Sequence, residues 1–580
     1  MKSSSSSLHG FILPNGDVVK EAEKMCELSA DHYENMFQEP MNIYRPHPYT
    51  DAPEVQWENF EEEIPPVTIE EVLQVVVSRS KKKSCDAHGL SNFMFKSLPL
   101  HYWTLLLKLF NLSFNNGAVP DKWKDTRILL LAKKESICEV SATRPISLLD
   151  VSLKINEKLF LTRFSNVLAR RGLLPDTQSG FRAKFRLQTR VLLFLEQVSS
   201  LMANSSPVAT VFIDFKSAFD QLWFDGCIGK LQRMGLPKAY LRWINTWLRG
   251  RRAYIEIGGI KSRWLNISRG CPQGSILSPT LFISNHADMG DFLSFCLSYS
   301  FVDDLAAVLA GSIGMKYSNQ RIDLERKLQL FFEYLEFYSV LTVQPINYTK
   351  TEALWSARAI GRPKFEISYG GNKISWSNEF KYLGYWITPK LGFGTLIKKS
   401  MTKIRQRISM INCFRISGTT SPALRRALFL SYVLPLFTWL FPLFPLFTVK
   451  QQQDLNHFYY TSLKRVLFCL PWRDNFFSYV LDEISLEDRC LRYWNKYLLT
   501  LADTKDGELM FEQANLNTIR KVWLQGENSI VGVFRSKRYI EHASLLEKCV
   551  SWCASTPLNE SIVNYNIEDI MTLIEFPETF

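Results

Sequence analysis

Two groups of aspartates lie where they could bind a divalent cation. Asp214 stands at the end of the apolar segment 208–215, within FIDFKSAFD, and Asp303 and Asp304 lie between two apolar arms in LSYSFVDDLAAVLA (297–310). Carboxylates at the ends of buried strands are costly unless something pairs with them, and hard oxygen ligands suit magnesium. Brought together, the two groups could hold two ions about 3.5–4 Å apart, an arrangement used for phosphoryl transfer.

The Asp303–Asp304 pair is weak evidence by itself, because adjacent aspartates also occur in ordinary turns. Side chains alternate along a strand, so the two are expected to face different ways and only one to be a primary ligand. Between the two acidic groups lies RGCPQGSILSPTLF (269–282), whose glycines and prolines impose a specific loop geometry while Gln273 and Ser275 present polar groups. The chemistry therefore depends on elements that bring these three segments together.

Hydrophobic periodicity predicts those elements. Residues 126–132 and 208–215 are predicted to be apolar strands, and 297–310 a hairpin. Helical patterns are predicted from Val67 onwards, over 100–115, from the second strand to Gly235, and over the basic segment 397–416. Residues 51–71 have eight acidic residues, no basic ones and three prolines, which is typical of a solvated linker.

One uncharged segment of 23 residues, 427–449, is long enough to span a bilayer. It contains Pro435, Pro442 and Pro445, although prolines are tolerated in membrane helices. Buried helices broken by proline-rich turns are the favoured interpretation, and a membrane span is the alternative.

Composition excludes several classes of protein. Of the 580 residues, 46% are hydrophobic and 22% charged, so the chain can bury a large core and is neither wholly disordered nor collagen-like. Eleven scattered cysteines, and no signal-peptide pattern in residues 1–10, predict free thiols in a reducing compartment.

The charge is unevenly distributed along the chain. Residues 1–71 contain four basic and fifteen acidic side chains, whereas the other 509 residues contain 65 basic and 42 acidic ones, a net charge of +23. A body this basic suits a polyanionic partner such as nucleic acid, with Arg249, Arg251, Arg252 and the 398–407 cluster as candidate contacts. A merely soluble basic protein is the alternative.

The order of these segments resembles that of the reverse transcriptases of non-LTR (LINE-like) retrotransposons, from about Val67 to Val449. The segments that carry the resemblance are KKKSCDAHGLSNFMFK (81–96), ILLLAKKES (128–136), TRPISLLDVSLKINEKLF (143–160), QSGFRAKFRLQTR (178–190), FIDFKSAFD (212–220), RGCPQGSILSPTLF (269–282), FVDD (301–304), LTVQPINYTKTEALW (341–355) and FKYLGYWI (380–387). Two positions depart from the family pattern, because Val302 replaces the usual Ala and His88 an expected Asp. So many motifs in order are specific, whereas one short motif is only a hypothesis.

The resemblance implies an RNA-directed DNA polymerase that transfers nucleotides to a primer 3′-OH with two Mg²⁺ ions, for which Mn²⁺ is a possible substitute. Asp214 and Asp303 would bind the metal, Asp304 would support them, and Lys350 would give the proton to the leaving pyrophosphate. The residues expected to contact the nucleotide are Lys133, Lys134, Arg144, Phe215, Phe219, Gln273 and Gly274. Those expected to contact template or primer are Gly180, Phe181, Arg182, Tyr382, Leu383 and Gly384.

Within this set the resemblance makes Phe219 a steric gate against ribonucleotides and aligns the backbone N–H groups of 215–218 with the triphosphate. Simple core packing is the alternative for Phe219, and a solvated surface charge is the alternative for each lysine. The expected partners are an RNA template, a DNA primer and dNTPs, with no membrane. The expected location is the nucleus or cytoplasm, as a ribonucleoprotein.

The fold implied is α+β, a right hand of fingers, palm and thumb with an antiparallel palm sheet and a helical C-terminal region. The expected divisions are an acidic N-terminal segment and linker (1–66), fingers and palm (67–390), a thumb-like helical region (391–470) and a helical tail (471–580). The other functions left open are an inactive nucleic-acid-binding remnant of a retroelement and a membrane protein built around 427–449.

Overall fold

The computed structural model describes residues 8–79, 83–133, 135–204, 206–312, 314–357, 363, 365–413, 421–467, 474, 478, 483–501, 504–513 and 544–555. The helices are α1 (Ala22–Met36), α2 (Ile69–Arg79), α3 (Asn92–Phe95), α4 (Leu100–Asn116), α5 (Val151–Arg170), α6 (Leu187–Ala203), α7 (Phe224–Arg233), α8 (Lys238–Leu248), α9 (Ser278–Asn285), α10 (Met289–Phe292), α11 (Tyr317–Thr342), α12 (Gly394–Cys413), α13 (Pro422–Leu428), α14 (Leu434–Thr438), α15 (Val449–Leu467), α16 (Leu486–Leu501), α17 (Lys505–Gln513) and α18 (Leu545–Ser555).

The strands are β1 (Gly10–Ile12), β2 (Val18–Val19), β3 (Asp125–Ala132), β4 (Ile137–Cys138), β5 (Thr143–Leu149), β6 (Val208–Ile213), β7 (Arg251–Ile257), β8 (Ile260–Lys261), β9 (Leu265–Ile267), β10 (Leu297–Phe301), β11 (Asp304–Ala310), β12 (Glu352–Ser356), β13 (Ile367–Tyr369), β14 (Asn372–Ser377), β15 (Phe380–Tyr382) and β16 (Tyr385–Ile387). The protein is therefore a mixed α/β structure. The helices predicted from Val67 and over 100–115 are confirmed as α2 and α4, with ends displaced by a few residues. The helix predicted over 397–416 is confirmed as α12 up to Cys413, and residues 414–416 lie outside the described residues.

A six-stranded sheet carries both aspartate groups. Its order is β10-β11-β6-β12-β14-β13, and its strand pairs are antiparallel except β12 with β14. The hairpin predicted over 297–310 is confirmed as β10 and β11, which pair from Leu297 with Val308 to Phe301 with Asp304. The strand predicted over 208–215 is confirmed as β6, which ends one residue before Asp214.

β6 is buried along its whole length because both faces of the sheet are covered. Val208 and Phe212 face a core that includes α6 and α12, whereas Ala209, Val211 and Ile213 face a core that includes α11. Alternating side chains therefore serve two cores, which explains why the strand is a continuous apolar run rather than an alternating one.

A second sheet has five strands. Four of them lie in the order β5-β3-β7-β8, and β9 also pairs with β7. β3 runs antiparallel to β5 and parallel to β7. The strand predicted over 126–132 is confirmed as β3. Arg144, on β5, pairs with Leu131 across this sheet.

The C-terminal helices share a core with the six-stranded sheet. One apolar cluster contains Val191 of α6, Phe212 of β6, Ile404 of α12, Trp494 of α16 and Cys549 of α18. This cluster contains residues from before residue 390, from 391–470 and from after residue 470. The three regions expected from the sequence therefore share one hydrophobic core.

The acidic N-terminal segment was predicted to be a solvated linker, and this was wrong where it meets the body. Phe60 and Ile64 are buried, and the Trp57 Nε1–H donates to the Gln232 carbonyl at 2.9 Å. The Arg163 guanidinium donates to the carbonyls of Pro65 and Pro66, both at 2.6 Å. Apolar anchors, backbone carbonyls and the ion pairs of Glu62 with Arg170 and of Glu71 with Arg163 therefore hold the segment on the body.

The uncharged segment 427–449 forms short helices packed into the core. A π-helical turn (Phe429–Val433) joins α13 to α14, and Phe429, Val433, Phe437 and Phe444 are fully buried. No helix in the described part of the chain is long and apolar enough to cross a membrane.

Candidate active site

The fold brings Asp214 beside the turn that carries Asp303 and Asp304. Ile213, the last residue of β6, pairs with Leu305 of β11, so both acidic groups lie at the same edge of the sheet. A turn after α11 supports Asp214, whose carbonyl accepts the Asn347 N–H at 2.8 Å and whose N–H donates to the Thr351 Oγ1 at 3.3 Å.

The pKa values of the acidic side chains reflect this crowding. Burial raises the pKa of Asp303, and the charge of Asp214 raises it further. Burial, and then the charges of Asp303 and Asp214, raise the pKa of Asp304 to about 6, although part of its surface reaches solvent. Three carboxyl groups within electrostatic reach of one another favour a bound cation, because a positive charge would offset both the cost of burying the carboxylates and the repulsion between them.

Basic side chains lie around the same edge. The Lys350 Nζ is 3.6 Å from the Asp214 Oδ2, and both side chains are partly exposed. Burial lowers the pKa of Lys133, and the charges of Lys350 and Arg144 lower it further. The charges of Lys350 and Arg144 therefore act on Lys133, and the expected contacts of these side chains with a nucleotide stay a prediction, whereas Lys134 lies outside the described residues.

Gln273 is held by a second buried carboxyl, Asp220. The Gln273 Nε2–H donates to the Asp220 Oδ2 at 2.7 Å, and burial raises the pKa of Asp220 to about 7. The Gln273 carbonyl accepts the Ser147 N–H at 2.7 Å, and Gly274 has φ 139° where a Cβ would overlap the Ser147 carbonyl oxygen. The loop 269–274 is therefore fixed between β5 and the segment after β6.

The two phenylalanines after Asp214 are placed differently. Phe215 is buried with its ring 5.5 Å from that of His286, so its side chain packs in the core, and the contact expected between its backbone N–H and the nucleotide stays a prediction. The Lys216 N–H donates to the Pro345 carbonyl at 2.8 Å, which removes one backbone donor expected to meet the triphosphate. Phe219 is half-buried and stacks on Phe282 at 4.9 Å, so it packs against the core from the edge of the site.

The residues expected to contact template or primer are partly turned inward. Phe181 is 62% exposed, whereas Gly180 and Leu383 are buried. Tyr382 is also buried and its hydroxyl donates to the Tyr299 carbonyl at 2.9 Å, so its side chain packs inside the protein, and a contact of this residue with template or primer stays a prediction.

The remaining two residues of that set serve the fold in different ways. The Arg182 guanidinium donates to the carbonyls of Pro175, at 2.7 Å, and Gln178, at 3.1 Å. Gly384 is exposed with φ 89°, and a Cβ there would lie 3.0 Å from the Trp439 ring.

Sequence reasoning missed three side chains that organise the site. Asp220 closes FIDFKSAFD and could have been noticed as a second acid in that motif. Asp86 accepts the N–H groups of His88 and Leu90, both at 2.9 Å, and of Val151 at 3.1 Å, so the loop carboxylate is two residues before the position where it was expected. Gln178 contacts Val302, 124 residues away, and no local signal reveals such a partner.

The donor set fits a metal that shares its ligands with a substrate. Across the described residues no group of three or more His, Cys, Asp and Glu side chains is arranged to hold an ion. Mg²⁺ in polymerase sites is bound by one or two carboxylates together with substrate phosphates rather than by a complete protein cage. Asp214 and Asp303 could supply these two carboxylates. The charge of Asp214 helps to raise the pKa of Asp303, which shows that the two side chains interact.

Comparison with known proteins identifies the central part of the chain. Residues 132–387 match the family described as reverse transcriptase (RNA-dependent DNA polymerase). The chain is 26% identical over 437 residues to the "Probable RNA-directed DNA polymerase from transposon BS" of Drosophila melanogaster, covering 74% of this chain and 47% of that protein. It is 27% identical over 423 residues to the "RNA-directed DNA polymerase from mobile element jockey" of the same organism, covering 69% and 44%.

The chain thus spans less than half the length of these relatives. A solved structure of apo telomerase from Candida tropicalis, truncated from its C-terminal domain, covers 50% of this chain and 58% of that one at 14% identity and a TM-score of 0.32. The family match, the order of the motifs and the relatives agree: residues 132–387 match the reverse transcriptase family, and the chain is similar to the RNA-directed DNA polymerases of non-LTR retrotransposons.

Proposed function

We propose that this chain is an RNA-directed DNA polymerase that adds deoxynucleotides to the 3′-OH of a DNA primer on an RNA template. The observation that supports it most is the meeting of Asp214 with Asp303 and Asp304 at one edge of the six-stranded sheet, inside the matched domain. Acidic groups from two distant segments that converge beside basic side chains suit nucleotidyl transfer.

In this proposal Asp214 and Asp303 hold two Mg²⁺ ions, with Asp304 as a supporting charge. When bound, the ions would supply charge stabilisation for the attacking and leaving oxygens. Lys350 lies close enough to Asp214 to reach the leaving pyrophosphate and is the candidate proton donor. Arg144 and Lys133 supply positive charge for the phosphates of the nucleotide.

We assign the parts of a right-handed polymerase by the same reasoning. The six-stranded sheet would be the palm, because it carries the acidic groups. The sheet of β3, β5 and β7, with α2 to α5, would be the fingers, and α12 to α15 the thumb. A nuclear or cytoplasmic location as a ribonucleoprotein stays a prediction.

Primer extension on an RNA template tests the activity. The purified chain should extend a DNA primer in the presence of Mg²⁺ and dNTPs. Asp214→Asn and Asp303→Asn should each lower the rate by at least about a hundredfold, the order of loss seen when one stabilising group leaves a preorganised site. Asp291→Asn, which changes an exposed carboxylate on α10, is the matched control and should leave the rate unchanged.

The binding of the primer–template duplex should be measured on the same proteins. If the aspartate variants bind normally but do not extend, the assignment is supported. An extension rate close to wild type in either variant would refute it, and binding without extension in the wild type would favour the inactive nucleic-acid-binding remnant.

A further inference from the structure

The turn that carries Asp303 contains a residue in an unfavourable conformation. Phe301 pairs with Asp304, so Val302 and Asp303 are the two residues that connect β10 to β11. Val302 has φ 62°, whereas a positive φ at the first position of a two-residue turn favours glycine. For a β-branched side chain this left-handed conformation is a genuine outlier, so neighbouring groups must hold it.

Gln178 holds both polar groups of the Val302 backbone. Its Oε1 accepts the Val302 N–H at 2.8 Å, and its Nε2–H donates to the Val302 carbonyl at 3.0 Å. The same Oε1 accepts the Gly180 N–H at 2.8 Å, and the side chain of Gln178 is buried. One side-chain amide therefore fixes the peptide groups on both sides of the strained residue.

Gly180 leaves the space that Val302 needs. A Cβ at position 180 would lie 2.5 Å from the Val302 Cγ2 and 2.5 Å from its backbone nitrogen. The glycine of the QSGFR segment is thus explained by packing against the turn, which is a role unlike the nucleic-acid contact expected from the sequence.

The segment that carries Gln178 is itself fixed to β10. The Ser300 N–H donates to the Thr177 carbonyl at 2.9 Å, and the Ser179 N–H donates to the Ser300 carbonyl at 3.0 Å. Arg190, also buried, donates to the Ser179 Oγ at 2.7 Å and to the Asp176 carbonyl at 2.6 Å. The amide of Gln178 is therefore presented from a rigid support rather than from a loose loop.

We propose that Gln178 is a positioning residue, which holds Val302 in the left-handed conformation and so directs the Asp303 carboxylate towards Asp214. Gln178 touches neither substrate nor metal in this view; it acts through the backbone of the turn. The catalytic consequence rests on the function proposed above, whereas the effect on the conformation of the turn does not.

Hydrogen exchange of the peptide 299–304, measured by mass spectrometry on the metal-free protein, tests the conformational part. Gln178→Ala removes both hydrogen bonds to Val302, and exchange in this peptide should become about tenfold faster or more. Gln178→Glu keeps an acceptor for the Val302 N–H but places an oxygen against its carbonyl, and should act in the same direction. Gln320→Ala, which changes an equally buried glutamine on α11, is the control and should leave the exchange unchanged.

The double variant with Val302→Gly separates positioning from general stability. Glycine adopts a positive φ about as readily as a negative one, so the turn then needs less support. We expect Gln178→Ala to lower kcat about tenfold or more, with the duplex Kd unchanged, and to lower it clearly less in the Val302→Gly background. Equal losses in both backgrounds, or unaltered exchange in both Gln178 variants, would overturn the proposal. If the wild type proved inactive, the exchange measurements would still decide it.

Discussion

Asp220 shows how one residue can be essential to a site without facing a ligand. Its side chain is buried, it accepts a hydrogen bond from Gln273, and a Cβ on Gly270 would lie 2.6 Å from its carbonyl oxygen. Burial outweighs both the Gln273 hydrogen bond and the charge of Lys133, so its pKa rises to about 7. Near neutral pH, this carboxyl therefore exchanges between a neutral and a charged form.

Asp220→Asn should change how stability depends on pH. The folded pKa lies above the ordinary value of 3.8, so the contribution of the neutral carboxyl to stability is complete below about pH 4 and is lost as pH rises through about 7. The asparagine keeps an acceptor for Gln273 and does not titrate. Between about pH 4 and pH 8, the free energy of unfolding of the variant should therefore rise by up to about 4 kcal/mol relative to that of the wild type. The reason is that each of roughly three pKa units is worth about 1.4 kcal/mol.

Chemical denaturation of both proteins between pH 5 and pH 8 measures the difference. The gap between the two unfolding free energies should widen as pH rises. Parallel curves over this range would show that Asp220 keeps an ordinary pKa.

Phe219→Val should admit ribonucleotides. The ring lies five residues after Asp214, and discrimination by shape disappears when the shape is removed. Phe219 is half-buried rather than wholly in the core, so the variant should fold. The measurement is the ratio of dNTP to rNTP incorporation efficiency, with thermal unfolding alongside.

Phe282→Val provides the matched control, because Phe282 is the buried partner of the stack. It should lower stability, as truncation of a buried ring does, with little change in the ratio. The gate is refuted if both variants shift the ratio equally, or if a well-folded Phe219→Val keeps the wild-type ratio.

The order of the motifs in the sequence was sufficient to predict which aspartates lie close together, because FIDFKSAFD and FVDD are each flanked by apolar segments that form strands. They were not sufficient for Phe215 or Tyr382, whose motif positions are the same whether the ring faces a ligand or the core. The direction of a side chain depends on packing partners far along the chain, here His286 and the Tyr299 carbonyl.

At the scale of elements, short helices near the C-terminus hold α6 in place. The Arg186 N–H, at the start of α6, donates to the Asp506 Oδ2 at 2.9 Å, and the Gln513 Nε2–H donates to the Leu193 carbonyl at 2.8 Å. The Leu546 N–H donates to the Glu196 Oε2 at 3.0 Å. A helical tail was expected over 471–580, and helices are found in the parts of that range that the structure describes, but their partner was not predictable because amphipathic faces do not specify which surface they cover.

Gly507→Ala should weaken the docking of α17. A Cβ at this position would overlap the Leu501 carbonyl oxygen at the end of α16, and a backbone atom cannot yield as a flexible side chain would. Overpacking of this kind typically costs about 1–3 kcal/mol, so the thermal midpoint should fall. Gly290→Ala, where a Cβ would meet no atom within 4 Å, is the control for the substitution itself. A midpoint unchanged in both variants would mean that α17 is not tightly docked.

At the scale of the whole molecule, much of the positive charge is already paired. Arg251 is buried and donates to the Leu248 carbonyl, so its expected contact with nucleic acid was wrong. Arg252 pairs with Asp125 and Arg249 with Asp225. Within the 398–407 cluster, Lys399 also pairs with Glu379, whereas the charges of Lys381 and Arg407 add to burial in lowering the pKa of Lys403, which indicates like charges held close together.

Binding of an RNA–DNA duplex should weaken steeply with salt. The logarithm of the binding constant should fall linearly with the logarithm of the salt concentration, with a slope of about −0.9 for each phosphate neutralised on duplex DNA. Lys403→Gln with Arg407→Gln should reduce the magnitude of that slope by about 1 to 2. Fluorescence anisotropy at several salt concentrations measures it. Lys24→Gln, an exposed lysine paired with Glu21 on α1, should leave the slope unchanged, and a flat wild-type slope would contradict the prediction.

The sharing of one core between α6 and α18 has a consequence for synthesis on the ribosome. The residues that cover α6 are made some 320 to 350 positions after it, which at about 5–20 residues per second means a delay of roughly 20 to 70 s. Throughout that interval the part of α6 that α17 and α18 cover is exposed, although the opposite side already packs on β6 and β10, and contacts so distant in sequence are slow to form. A nascent chain with an exposed helix surface of this kind is a substrate for chaperones, and a message that ends before residue 545 would yield a protein in which the surface covered by α18 stays exposed.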